Sequence, residues 1–180
     1  MWLKPLPRAG RFFRGSWSPN DRARPVAIEC RAMSQKLALY SKLVSDPTVP
    51  NIGELLDMLL DEFMAERGCF WLESQGAVIY RGDEELKMTY PFSRQVVGAA
   101  VKTRLGLVSF DVMEDDRIAP TESVKTTQIR SCLCVPARDE KGKILAVIYF
   151  DTKTSRSFSQ ENLDFLIELM AFYPGAASAS

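Results

Sequence analysis

Apolar residues recur along this chain in two rhythms, one of three to four residues and one of two, and their order separates helices from strands. From about Ala27 the spacing is helical: Cys30, Met33, Leu37, Tyr40 and Val44 form a single stripe that Asp46-Pro47 stops. Asn51, with Glu54 three residues on, predicts the cap of a second helix that buries Ile52, Leu55, Leu56, Leu59, Leu60 and Phe63 and ends at Gly68. Cys69–Leu72 and Ala77–Tyr80 read as strands joined at Gln75-Gly76, and Leu86–Tyr90 as a weaker strand. Ser93 predicts the cap of a helix carrying Val96, Val97, Ala100, Val101 and Leu105, with Gly106 as its terminator. A strand at Leu107–Asp111 and a short helix at Glu122–Gln128 follow.

The clearest strands are Ser131–Val135 and Lys143–Phe150, a hairpin closed by Asp139–Gly142. Period two places Cys132 with Cys134, and sets Leu145, Val147 and Tyr149 opposite Ile144, Ala146, Ile148 and Phe150. Ser159 caps a last helix, Phe158 staples onto Leu163, and Leu163, Leu166, Ile167, Met170 and Tyr173 face inward until Pro174-Gly175. Strands joined by short turns predict an antiparallel sheet, with the two N-terminal helices and the last helix on one face.

Composition then narrows the class. With 46% hydrophobic and 26% charged residues in 180, the chain matches a folded globular protein with one core. That core is expected over residues 27–174, with a basic arm or linker at 1–26 and a loose tail at 175–180. The arm holds six basic residues and one acid, and its prolines and glycines oppose a continuous targeting helix. No apolar run approaches the roughly 20 residues of a membrane span, and a cytoplasmic location is expected. The sequence has no histidine, which removes Ser-His and Cys-His nucleophiles and His-ligated metals. Its four cysteines lack the spacing of a zinc site, so no metal and no cofactor are expected. Cys132 and Cys134 would stand about 6.6 Å apart along a strand with parallel side chains, which strains a disulfide.

The order of elements resembles the GAF family. The residues that carry the resemblance are Ser93–Gly106, Asp111–Arg117, Ser131–Pro136, Gly142–Asp151 and Phe158-Ser159, and it covers about residues 35–172. It implies an α+β fold, a six-stranded antiparallel sheet with terminal helices on one face and a ligand pocket under short helices and loops on the other. The matching positions for the cyclic-nucleotide clasp read Thr152-Lys153, Phe158 and Asn162-Leu163, so its ion-pairing part is missing. The free methionine sulfoxide reductase branch uses a Cys in the segment matching Gln95–Gly98, where this chain has none.

Carried over residue by residue, the resemblance places a ligand against Cys69, Tyr80, Arg81, Val96, Val97, Ser123, Thr126 and Tyr149. Trp71 joins them by sharing the face of Cys69, and Arg130 by its place at the mouth of the next strand. The lining suits a planar or partly apolar ligand with one anionic or carbonyl group. The function expected is therefore a regulatory GAF domain that senses an unidentified small molecule and signals through its terminal helices to an effector, in signal transduction or transcription control. It is expected to be no enzyme, to form a homodimer on its first and last helices, and to bind neither nucleic acid through the folded domain nor membrane. The alternatives are a structural dimerisation module without ligand and a thiol-based reductase.

Overall fold

Buried apolar stripes, with hydroxyl caps from Thr48, Ser93 and Ser159, explain the longer helices of the computed structural model, which describes residues 35–82, 84–87, 92–118 and 121–177. The arm, Cys30, Met33 and residues 178–180 lie outside the described residues. The first helix, α1, is described over 35–45, and α2 runs Val49–Phe63. Thr48, not Asn51, caps α2: its hydroxyl accepts from Asn51 N, while the Asn51 side chain donates back to Asp46. The cap moves upstream because Pro50 needs no amide partner in the first turn. Met64 in a left-handed conformation ends α2, and Gly68 instead lies inside the first strand.

That strand, β1, covers Arg67–Leu72, and β2 covers Ala77–Arg81. The chain then forms one helical turn, α3 at Glu84–Lys87, where the sequence predicts the start of a strand at Leu86. The rest of that expected strand, 88–90, lies outside the described residues. The helix α4 is Arg94–Thr103, β3 is Leu107–Ser109, α5 is Glu122–Thr127, β4 is Ser131–Arg138, β5 is Ile144–Thr152 and α6 is Gln160–Met170. Among the described residues the sheet has five antiparallel strands in the order β2-β1-β5-β4-β3. The expected α+β architecture stands with one strand fewer described.

The sheet divides two buried clusters. On one face Phe70, Leu72, Leu133, Val135, Ile148 and Phe150 pack with α1, α2 and α6. Tyr40 and Val44 of the first stripe are buried there in the chain's own core, and Leu37 packs against it in part. On the other face Cys69, Cys132, Cys134, Val147 and Tyr149 pack under α4 and α5. Parity fails at one place: Ile144 packs with Val147 and Tyr149, and Leu145 with the helices, because the register shifts between Ala137 and Arg138. A β-bulge moves every side chain beyond it to the opposite face.

Gly106 sets how α4 meets the sheet. At φ +118 its α-carbon lies so near β4 that a Cβ would stand 2.8 Å from the Cys134 carbonyl, so only glycine fits. The helix itself stops earlier, at Arg104, a non-glycine residue at φ 67.

Candidate functional site

The face away from the terminal helices carries the chain's unusual chemistry. Strand register aligns Tyr80, Cys69, Tyr149, Cys134 and Leu107 in one row across all five strands. The next row aligns Arg67, Asp151, Cys132 and Ser109. Within these rows Arg67 donates to Asp151 through Nε at 2.7 Å and Nη2 at 2.5 Å, and the Tyr149 hydroxyl donates to Asp151 Oδ2 at 2.6 Å. All three residues are buried. Burial opposes the charge on Arg67, yet the bidentate carboxylate outweighs it and raises the guanidinium pKa. Burial also holds the Asp151 carboxyl above the usual carboxylate range, against the pull of Arg67 and Tyr149. A buried pair of this geometry is ionised and mutually neutralising.

Burial pushes the thiols of Cys69, Cys132 and Cys134 up, so each is held as S–H and not as thiolate. These three thiols are free. Among the described residues no group of His, Cys, Asp or Glu could hold a metal ion.

The structure brings Cys69, Trp71, Tyr80, Val96, Val97 and Tyr149 together on this face. Phe92, just before the cap of α4, lies against Tyr149 with ring centroids 6.5 Å apart. The space left among Cys69, Trp71, Phe92, Val97, Val147 and Tyr149 is about 10 Å³, room for about one water. Other expected residues lie elsewhere. Arg81 is opposite Gly68 and turns to the helix face, where a Cβ on Gly53 would run into it; it bonds Asp57 at 2.7 Å and the Tyr80 carbonyl at 3.0 Å. Neighbours along a strand point to opposite faces, so Tyr80 and Arg81 cannot line one pocket. Arg130 is exposed and paired with Asp111, and Thr126 is exposed on α5. The Ser123 side chain lies outside what is described. The cationic contact expected of Arg81 or Arg130 is thus absent from this face among the described residues.

Sequence reasoning missed Arg67, Asp151 and Phe92. The signal for the first two was parity, since 67 and 151 continue the faces of Cys69 and Tyr149. Charged residues at strand ends are ordinarily solvated, which hides such a pair.

The sequence profile of the GAF domain matches residues 52–173. The chain belongs to the GAF domain family. A comparison with curated protein sequences gives no match. Among solved structures this GAF chain is similar to a free methionine-R-sulfoxide reductase of Neisseria meningitidis in complex with its substrate, at TM-score 0.58 and 21% identity, covering 76% of this chain and 82% of that one. It is also similar to a structure described as the GAF domain, at TM-score 0.56 and 17% identity over 82% and 89% of the two chains. A third is the reduced form of the reductase fRMsr of Staphylococcus aureus, at TM-score 0.53 and 17% identity over 76% and 91%. At these identities the likeness is one of fold. It corrects the expectation of a non-enzymatic module: reductases share this GAF fold, so the fold does not exclude catalysis. No described helix is long and apolar enough to cross a membrane.

Proposed function

We propose that this GAF domain is a regulatory module that binds a small, planar, largely apolar molecule against Cys69, Trp71, Tyr80, Val96, Val97 and Tyr149. The observation that carries the reading is the double role of β5. Tyr149 stands in the cluster proposed to meet the ligand, while Ile148 and Phe150 beside it are buried in the cluster that includes α6. A ligand that shifts Tyr149 therefore acts on the strand that seats the last helix, and through it on an effector in signal transduction or transcription control. A second reading, a thiol-based reductase of methionine sulfoxide, draws on Cys69 and Cys134, which flank Tyr149 in register on β1 and β4.

The two readings separate in one set of measurements. Under the sensor reading the ligand displaces the side chains that close the space beside Tyr149, so a metabolite screen raises the melting temperature, and Val97→Trp abolishes that rise. Under the reductase reading the protein consumes methionine sulfoxide with a dithiol, and Cys69→Ser or Cys134→Ser stops it. If no metabolite stabilises the wild type, or if Val97→Trp leaves a metabolite's stabilisation unchanged, the sensor reading fails.

A further inference from the structure

A separate groove of about 540 Å³ lies where α4 and α6 both end beside β4 and its hairpin. It exists because β4 is longer than β3. Leu107–Ser109 pair only with Cys132–Cys134, so Val135–Arg138 have β5 on one side and no strand on the other among the described residues. Val101, Leu105, Val135, Ile167 and Met170 give the groove an apolar lining, and Leu105 is left 58% exposed there.

Its charge is mostly positive. Lys102, Arg104, Arg138 and Lys141 line it, and none of them has a salt bridge among the described residues. Arg138 donates to the Gly142 carbonyl at 2.9 Å and to the Val101 carbonyl, and its Nε is buried with no protein acceptor. Two acids also line the groove. Asp139 Oδ1 accepts within its own turn from Lys141 N at 2.9 Å and Lys143 N at 2.8 Å, while Glu140 is exposed. The carbonyl ends of α4 and α6 add partial negative charge, but Arg138 occupies that of α4. Arg104, held at φ 67, places a cation where α4 ends.

An added β-strand does not suit this edge. Pro136 lacks the N–H a ladder needs, and the Arg138 carbonyl already accepts from Ala177 N at 2.7 Å. The volume is that of a small-molecule site. We propose that the groove binds a small amphipathic organic anion, its apolar body on Leu105, Val135 and Ile167 and its charged group facing Lys102, Arg104 and Lys141. This site is distinct from the Tyr149 face and stands independently of what that face binds.

The probe is 1-anilinonaphthalene-8-sulfonate, titrated into the full chain at low salt and followed by its fluorescence and by amide chemical shifts. One equivalent is expected to bind, shifting amides at Lys102, Leu105, Gly142 and Ala171. Affinity should fall about tenfold in the double variant Lys102→Glu/Arg104→Glu, both positions being exposed, and fall steeply with salt. Ala171→Trp, which fills the groove, should abolish binding while the melting transition persists. Unchanged affinity in the charge-reversed variant overturns the proposal, as do shifts confined to other surfaces. Binding that appears only after residues 178–180 are removed overturns it too, because the chain's own end would then be the occupant.

Discussion

On the helix side of the sheet the buried residues are almost uniformly aliphatic and aromatic, with Phe63 meeting Phe150 and Phe158 edge to face. On the opposite side three thiols and two tyrosines share the interior with an ion pair, to which the hydroxyl of one of those tyrosines, Tyr149, donates. Both sides are equally well buried. They differ in what burial costs: an aliphatic core gains from each methylene removed from water, whereas a buried charge loses unless its partner is in place. The helix face therefore holds the fold, and the Tyr149 face retains groups whose worth depends on one another.

The sharpest way to break that contrast is to remove half of the pair. Arg67→Met leaves the Asp151 carboxylate buried with Tyr149 alone, and a loss of about 3–5 kcal/mol is expected in urea unfolding at neutral pH. Arg67→Met/Asp151→Leu should recover more than half of it, since no charge is then stranded. A double variant as unstable as the single one would mean that shape, not charge, sets the cost. Across the sheet Ile148→Val deletes one methyl from the helix face. About 0.5–1.5 kcal/mol should be lost there, with no dependence on pH or salt. A pH-dependent loss at Ile148 would show that the two faces are coupled more closely than their packing suggests.

How far the sequence reaches follows the same division. The helix face was legible because its signals repeat: α6 carries its Ser159 cap with a reciprocal Asn162 bond, and Phe158 and Leu163 lie in one cluster as their spacing predicts. Local signals failed where a residue served long-range packing. Gly68 reads as a helix terminator, but it is a strand residue opposite Phe150, whose ring a Cβ at Gly68 would touch at 2.8 Å. Asn51 resembles a cap and serves instead as a donor to Asp46. The Leu86 segment has apolar residues suited to a strand, yet Glu84–Lys87 turns helical. Of the site, Cys69, Trp71 and Tyr149 came from period two together with family resemblance. Arg81 contradicts the parity that its own strand imposes, and the partnership of Arg67 with Asp151 joins residues far apart in sequence that only the register of β1 on β5 brings together.

The smallest expected effect lies at the rim of the Tyr149 face, where Asp115 and Arg117 fasten the loop that buries Val112 and Ile118. Arg117 bonds Asp115 through Nε at 2.8 Å and Nη2 at 2.7 Å, and its backbone N–H donates to Asp115 Oδ1 at 3.0 Å. Foremost through the Arg117 side chain, these bonds hold the Asp115 carboxyl below the usual carboxylate range. A carboxyl whose folded pKa is depressed contributes stability that is present above its unfolded value, near pH 4, and is lost as pH falls through the folded value. Arg117 is half exposed, so solvent screening keeps the contribution under about 1 kcal/mol. Asp115→Asn keeps an oxygen for the Arg117 backbone amide while removing the charge. Its urea midpoint should therefore fall below the wild type at pH 7 and converge with it by about pH 2–3. A gap that persists in acid would assign the loop's order to the turn bond alone. Of the Arg67–Asp151 and Arg117–Asp115 pairs, only the buried one would then be a contact in which charge decides stability.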